Sequence, residues 1–273
     1  MMKSLYKEIG TEIPENLEQI KEEFIKEIVA KRWTASIEQY KIRYLSYYDN
    51  LPDYRQLNYL KKIGIRFTYH SNKIEGSTLT LREVDLAVNE PNVPINKPTN
   101  DIVEAKLHNE IYGDIINKKY DSDLSLDMVL DWHSRLFSLH PNRNNLAGLI
   151  RKDRILISGS NFVPPIVCEP LLEDLFNWYK INKDTMYPVL LACLMHFEFV
   201  SIHPFNDGNG RISRLLMNYI LHKSKYPIYT LPVDIRISYY NALERANLKE
   251  DRMFFVGWFF RNFIKYLKSL VLN

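Results

Sequence analysis

The twelve residues from His203 to Arg214 constrain the fold of this chain more than any other stretch. They read HPFNDGNGRISR, and the middle of this sequence favours a tight turn because Asn and Gly adopt backbone conformations that other residues resist. Apolar residues then recur at helical spacing, among them Ile212, Leu216 and Ile220. The pattern predicts a glycine-rich turn that leads directly into a helix.

This turn is suited to binding an anion. The first N–H groups of a helix have no partner within the helix, and they lie at the positive end of its dipole. Gly208, Asn209 and Gly210 are therefore predicted to hold phosphate, with the Asn209 side chain contributing to the contact. Arg211 and Arg214, on neighbouring positions of the predicted helix, would add two planar guanidinium groups that match phosphate oxygens.

Two further residues of the stretch carry chemistry. Asp207 offers one carboxylate, and Mg²⁺ is usually held by one or two carboxylates together with substrate phosphates. His203 is the only group here that accepts a proton near neutral pH without special tuning. Taken one at a time, a packed histidine, a solvated pair of arginines and an ordinary turn would explain these residues. Only their combination indicates a site for a metal-bound polyphosphate.

The stretch is similar, at every specified position, to the Fic family signature H-x-F-x-[D/E]-G-N-G-R-x-x-R. The resemblance implies a mainly α-helical fold, a single bundle with a short β-hairpin flap. Fic proteins mostly transfer AMP from ATP to a hydroxyl group of a target protein. The resemblance therefore implies a protein adenylyltransferase with ATP as substrate and Mg²⁺ as cofactor. His203 would be the base that takes the proton from a Tyr, Ser or Thr hydroxyl.

Composition and charge limit the cellular location and the kinds of partner that we expect for this chain. The chain has 273 residues and a formal net charge of +3, which gives no indication of nucleic-acid binding. Charged residues interrupt the apolar runs before they reach membrane-spanning length, and the N-terminus lacks the apolar core of a signal peptide. Cys168 and Cys193 show neither a metal-binding spacing nor a disulfide framework. We therefore expect a cytoplasmic protein with no nucleic-acid or membrane partner.

Helical patterns dominate the chain from its start. Apolar residues follow a helical stripe between Glu15 and Lys31, and a second helical stretch covers Ile37 to Tyr48. No chemistry is evident in residues 1–60, which we expect to form an N-terminal helical extension. By the resemblance, residues 61–273 would form one Fic domain, with no appended winged-helix domain.

A third helix is predicted to end near Gly76, and it carries a carboxylate in an unfavourable place. Ser71 and Glu75 would share one face of this helix, and a glutamate at a helix C-terminus opposes the dipole. An exposed acid before a helix-ending glycine is the ordinary explanation. The spacing also resembles the inhibitory motif [S/T]-x-x-x-E-[G/N] of Fic proteins that carry their own inhibitory helix, here residues 61–76. The resemblance implies that Glu75 pairs with Arg214 and competes with the γ-phosphate of ATP.

Residues 148–165, called the flap segment below, contain two short β-type runs on either side of Lys152 and Asp153. Such runs, bounded by turn residues, predict a hairpin. In Fic proteins the corresponding flap lies over the active site and pairs with the target as an added strand. The resemblance therefore implies that the flap segment binds the target protein. Self-modification and homo-oligomer formation are left open.

Tyr239, Tyr240 and Asn247 lie on a predicted helix near the C-terminus. Core packing is the ordinary role of an aromatic residue in such a helix, and we expect it for one of the two tyrosines. The resemblance implies that this pair and Asn247 line the adenine pocket. His133, on another predicted helix, is expected to be structural.

Three other interpretations stay open. The same site could remove AMP from a modified protein, with Glu75 positioning a water molecule. It could transfer another phosphate-containing group, although the intact Gly-Asn-Gly turn favours a nucleoside triphosphate. The chain could also be a catalytically silent regulatory or toxin-like module that binds without reacting.

Overall fold

The chain is mainly α-helical, as the sequence predicts. Its structure is a computed structural model that describes residues 17–90, 96–117, 123–140 and 143–271. The α-helices within these ranges are α1 Leu17–Val29, α2 Ala35–Tyr48, α3 Asp53–Ile74, α4 Leu81–Asn89, α5 Thr99–Ile116, α6 Leu126–Ser138, α7 Glu169–Asn182, α8 Pro188–Ile202, α9 Asn209–Lys223, α10 Arg236–Leu248 and α11 Met253–Val271. A π-helical turn at Ala30–Thr34 joins α1 to α2, and short 3-10 helices lie at Asn144–Leu146 and Val233–Ile235.

Helices α8 and α9 form the centre of the core. α8 is apolar on almost every face and begins at Pro188, whose fixed φ suits the first helical position. Phe199 on α8 and Leu215 on α9 are completely buried in the main hydrophobic core. Residues 203–208 connect these two helices, so both ends of the connection are fixed by buried elements. None of the helices described here is both long and apolar enough to cross a membrane.

Helices α1 and α2 pack onto the same hydrophobic core as the later helices. Val29 and Ile37 are buried in it, and the Trp33 ring stacks on Phe260 of α11 with the ring centroids 5.1 Å apart. The predicted boundary at residue 60 falls inside α3, which continues across it. The described part of the predicted extension therefore supports the later helices directly. Residues 1–16 of that extension lie outside the described residues.

The flap segment differs from the prediction, because the structure assigns no strand to residues 148–165. Several of its backbone groups bond to other parts of the chain. The N–H group of Arg151 donates to the carbonyl of Pro204 at 2.9 Å, and that of Asn161 donates to Glu244 Oε1 at 2.5 Å. Pro164 and Pro165 have no N–H group to give to a partner strand. The β-type runs therefore form an extended loop with a turn at Ile157–Ser160, and the β-hairpin is not shown.

Candidate active site

His203 ends α8 in an unusual conformation. Its φ of 53° and ψ of 58° are left-handed, and its N–H group donates to the carbonyl of Phe199 at 3.1 Å. The imidazole Nδ1 lies 3.2 Å from the carbonyl of Val200. Because a carbonyl only accepts, Nδ1 carries the proton and Nε2 keeps its lone pair. Burial lowers the pKa of His203, while the Val200 carbonyl and the Glu75 carboxylate act in the opposite direction. The ring is therefore neutral near pH 7 and can accept a proton.

Gly208 begins α9, as the glycine-rich turn predicts. Its φ is +82°, and an added Cβ would lie only 2.6 Å from Cε2 of Phe137. The conformation and the close contact both require glycine here. The N–H group of Gly208 donates to Asp207 Oδ1 at 2.6 Å. The amides of the next residues are those of the first helical turn, which an anion can bind.

The Asn209 side chain lies elsewhere than predicted. Its Oδ1 accepts from the N–H group of Phe205 at 2.9 Å, and its Nδ2 donates to the carbonyl of Phe205 at 2.7 Å. The residue is 2% exposed. The amide group therefore fixes the turn, and its oxygen and nitrogen are both engaged by the backbone of Phe205.

Arg211 and Asp207 belong to a chain of ion pairs. Arg211 is 2% exposed and bonds to Glu104 on α5 through Nη1. Its Nη2 lies 3.1 Å from Asp207 Oδ1, and the other carboxylate oxygen, Oδ2, pairs with Arg143. Glu104 and Arg143 were not predicted, because neither lies in a recognisable motif. They hold Arg211 and Asp207 at the start of α9.

Asp207 fits a metal only together with a ligand that brings further oxygens. The carboxylate is 33% exposed. Within the described ranges, no group of three or more His, Cys, Asp and Glu side chains could hold a metal ion alone. Mg²⁺ commonly keeps several waters and takes one or two carboxylates plus phosphate oxygens. Asp207 would therefore hold Mg²⁺ that arrives with a polyphosphate.

Arg214 is completely enclosed and contacts the end of α3. Its Nε donates to Ser71 Oγ at 3.0 Å, and its Nη2 donates to the Ser71 carbonyl at 2.8 Å and to Glu75 Oε1 at 2.7 Å. The third nitrogen, Nη1, is buried and has no hydrogen-bond partner in the described part of the chain. Arg214 thus keeps one nitrogen, with two N–H donors, for another ligand.

Glu75 lies at the C-terminal cap of α3, and Gly76 follows with a φ of +102°. Burial on its own would raise the pKa of the Glu75 carboxyl, but the charges of Arg214 and Arg211 outweigh it and hold that pKa below its ordinary value. A Cβ added to Gly210 would collide with Glu75 Oε1. The ionised carboxylate therefore lies against the first turn of α9, at the place predicted for phosphate.

Removing this carboxylate is expected to destabilise the fold. In Glu75→Gly the buried Arg214 would lose its ionised acceptor, which lowers the free energy of unfolding by about 1–3 kcal/mol. Glu90→Gly is a matched control, since Glu90 is an exposed glutamate at the C-terminal cap of α4. Urea unfolding followed by circular dichroism measures the free energy of unfolding of each variant and of the wild type. Equal losses in the two variants would show that Glu75 adds nothing beyond the effect of a glycine at a helix end.

Tyr239 and Tyr240 point to different surroundings. Tyr239 is 1% exposed, and its hydroxyl lies 3.0 Å from Nε2 of His196, so it is a core residue and cannot line an open pocket as predicted. Tyr240 is 37% exposed, and its hydroxyl donates to the carbonyl of Ile74 at 3.2 Å. Asn247 lies two helical turns further along α10 and donates to the carbonyl of Leu243. Tyr240 and Asn247 share one face of α10.

His133 links the flap segment to the motif. Its Nδ1 accepts from the N–H group of Gly148 at 2.9 Å, so Nε2 carries the proton and donates to the carbonyl of Asp207 at 3.1 Å. Its ring stacks on Phe205 with centroids 3.7 Å apart. Burial lowers the pKa of His133 to about 3, which keeps the ring neutral as this bonding requires. The structure gives His133 a role in holding the turn.

Comparison with known proteins gives a consistent result. Residues 123–221 match the model of the Fic/DOC family. The chain is 34% identical over 200 residues to protein adenylyltransferase fic-1 of Caenorhabditis elegans. The aligned region covers 69% of this chain and 37% of that protein. It is also 34% identical over 208 residues to protein adenylyltransferase Fic of Nematostella vectensis, covering 71% and 46% of the two chains. The chain thus spans less than half the length of these relatives.

Solved structures show the same fold. A Fic domain containing signaling protein from Bacteroides thetaiotaomicron superimposes with a TM-score of 0.77 at 25% identity, over 86% of this chain and 95% of that one. A fragment of Fic-1 from C. elegans gives a TM-score of 0.75 at 24% identity, over 93% and 74%. The family match includes His203 through Arg214 but neither Glu75 nor Tyr240.

Proposed function

Because this chain belongs to the Fic/DOC family, we propose that it is a protein adenylyltransferase that moves AMP from ATP to a Tyr, Ser or Thr hydroxyl of a target protein. We further propose that Glu75 inhibits it. The observation that carries both proposals is the position of the Glu75 carboxylate between Arg214 and Gly210. An anion of the chain itself occupies the helix terminus where a polyphosphate would bind, a short distance from a neutral histidine.

The phosphates of ATP would bind at the start of α9. The first-turn amides of α9 and the guanidinium of Arg211 would hold the α- and β-phosphates. Mg²⁺ on Asp207 would supply positive charge that stabilises the negative charge developing on the phosphates. Nη1 of Arg214, the buried donor without a partner in the described residues, would bond to the γ-phosphate once Glu75 moves away.

His203 would act as the general base. Its Nε2 takes the proton from the acceptor hydroxyl, and the hydroxyl oxygen attacks the α-phosphorus of ATP. A bond forms between that oxygen and phosphorus, the bond from the α-phosphorus to the bridging oxygen breaks, and pyrophosphate leaves. Nδ1 stays protonated throughout because it donates to the Val200 carbonyl. This bond keeps Nε2 directed away from α8.

The remaining parts of the site would hold the nucleoside and the target. Tyr240, with its ring partly exposed on α10, would contact adenine by stacking, and Asn247 would meet the edge of the base. The flap segment leaves extended backbone without strand partners, which suits pairing with an added target strand. Main-chain bonds of this kind carry little sequence preference, so target choice would depend on other surfaces.

The direct test is incubation with Mg-ATP followed by intact mass measurement of the chain and of candidate targets. A gain of one AMP unit on any protein, abolished by omitting ATP, supports transfer. Because the chain is rich in tyrosine, a gain on the chain itself would report self-modification. No gain on any protein, in the wild type or after removal of Glu75, would contradict the proposal.

The rate of transfer is expected to rise with pH through a pKa below 6.5 and to be level at neutral pH. The base must be neutral, and burial lowers the pKa of His203 from its ordinary value of 6.5. In Glu75→Gly the rising part of the rate–pH profile, its acid limb, should move to still lower pH, because the Glu75 carboxylate favours the charged form of the His203 ring. Initial rates across about pH 5 to 8 measure this. A rate that is still rising above pH 7 would contradict a lowered His203 pKa.

A further inference from the structure

Arg151 ties the flap segment to the end of α8. The residue is 3% exposed, and its guanidinium bonds only to backbone carbonyls among the described residues. Nε donates to His203 at 2.7 Å, and Nη2 donates to Ile202 at 3.2 Å and to Pro165 at 2.6 Å. Nη1 donates to Asp153 at 2.7 Å. One side chain therefore joins two sites in the flap segment to the last two carbonyls before Pro204.

The charge of Arg151 matches the end of a helix. None of the ion pairs found in the described residues includes this side chain, so the carbonyl oxygens are its partners. The carbonyls of Ile202 and His203 lie at the negative end of the α8 dipole, where a cation is stabilising. Arg151 thus caps α8 from a distant part of the sequence, and each of its bonds is charge-assisted.

These bonds hold His203 on both sides. The left-handed conformation of a residue other than glycine costs about 1–2 kcal/mol, so the surrounding contacts must maintain it. The carbonyl of His203 accepts from the Arg151 guanidinium, and the carbonyl of Pro204 accepts from the Arg151 N–H group at 2.9 Å. The direction of the imidazole follows from that backbone. A shift of the flap segment would therefore move the ring.

We propose that Arg151 is a positioning residue, which fixes the flap segment and the imidazole of His203 as one unit so that an acceptor hydroxyl held by the flap meets Nε2. The inference rests on the proposed transfer reaction. It differs from a packing role, since it assigns to Arg151 the alignment of two groups that must meet during the reaction. Lysine could not replace it, because one ammonium group cannot supply the planar fork of donors.

The test compares Arg151→Lys with Arg43→Lys, both in a Glu75→Gly parent. Arg43 is an exposed arginine on α2, far along the chain from the site. We expect Arg151→Lys to lower kcat by about 10- to 100-fold, the scale of misaligning reacting groups. The Kd for Mg-ATP should stay within a factor of about two, because the phosphate contacts lie on α9. An unchanged kcat in folded Arg151→Lys would overturn the proposal.

A second variant, Arg151→Gln, removes the charge of Arg151 as well as its fork of donors, so comparison with Arg151→Lys distinguishes the effect of the charge from that of alignment. It also replaces the lysine variant in the test if that variant does not fold. Three groups face the His203 ring: the Arg151 charge lowers its pKa, whereas Glu75 on α3 and the Val200 carbonyl raise it. With Glu75 absent, Arg151→Gln should shift the acid limb of kcat to higher pH, and Arg151→Lys should leave it in place. A purely structural role would reduce the folded fraction in both variants and leave kcat of the folded protein unchanged.

A histidine NMR titration keeps this test separate from the proposed function. If the Glu75→Gly parent transfers no AMP, the proposed function fails, but the His203 resonances can still be followed in the parent and both variants. Changed ring shifts in Arg151→Lys, which keeps the charge, support positioning by Arg151. Resonances of His203 that coincide in all three proteins would overturn it.

Discussion

Replacing Glu75 by glycine is expected to raise the rate of AMP transfer by about 10- to 100-fold, since charge-assisted hydrogen bonds contribute about 1.5–3 kcal/mol and 1.4 kcal/mol corresponds to a factor of ten. The carboxylate bonds to Nη2 of Arg214 at 2.7 Å and lies against Gly210. In the proposed reaction, ATP must displace it before the γ-phosphate can reach the same guanidinium. In the variant this competition is absent.

The measurement is the intact mass of the chain and its target after a fixed time with Mg-ATP. Glu90→Gly is the control, because it makes the same change at the C-terminal cap of another helix. Its rate should equal that of the wild type. If Glu75→Gly transfers AMP no faster than Glu90→Gly, the proposal that Glu75 inhibits the reaction is wrong, even though Glu75 pairs with Arg214 in the structure.

The same variant separates the other interpretations of the site. If the wild type releases AMP from a previously modified protein and Glu75→Gly does not, the Glu75 carboxylate works in AMP removal. If neither protein binds Mg-ATP in a calorimeter, the chain is better described as a silent binding module. Transfer by Glu75→Gly with a mass gain of AMP excludes that description.

Local backbone preferences made the motif predictable. A turn rich in Asn and Gly, followed by helical spacing of apolar residues, predicts the start of α9, and Gly208 adopts the positive φ that such a turn requires. The end of α3 at Gly76 follows from the same kind of information. Each of these features depends on residues close together in the sequence.

Contacts between distant residues were not predictable in this way. Glu104 and Arg143 pair with Arg211 and Asp207 only because helices and loops meet in the fold. The flap segment has β-type composition, yet several of its backbone groups bond outside the segment, and composition does not specify these partners. Tyr239 and Tyr240 are adjacent in sequence but face different sides of α10, so one is core and the other is exposed.

Replacing His203 by alanine is expected to lower AMP transfer by about 10²- to 10⁴-fold, the usual contribution of a general base. The affinity for Mg-ATP should change by no more than a factor of about three, because the proposed phosphate contacts come from α9, Arg214 among them. The substitution is made in the Glu75→Gly parent, where we expect AMP transfer to be fast enough for a large decrease in rate to be measured. Rapid-quench measurement of AMP transfer and calorimetric titration of Mg-ATP give the two quantities.

Alanine also disturbs the backbone at this position, so His203→Asn is the second variant. Asparagine tolerates the left-handed conformation that His203 adopts, and its side-chain amide can still donate to the Val200 carbonyl. It provides no base of suitable pKa. If both variants bind Mg-ATP normally and transfer AMP slowly, the loss comes from the missing base. Transfer by His203→Asn at the rate of its parent would instead mean that another group takes the proton, and weak nucleotide binding in a well-folded variant would place His203 among the phosphate contacts.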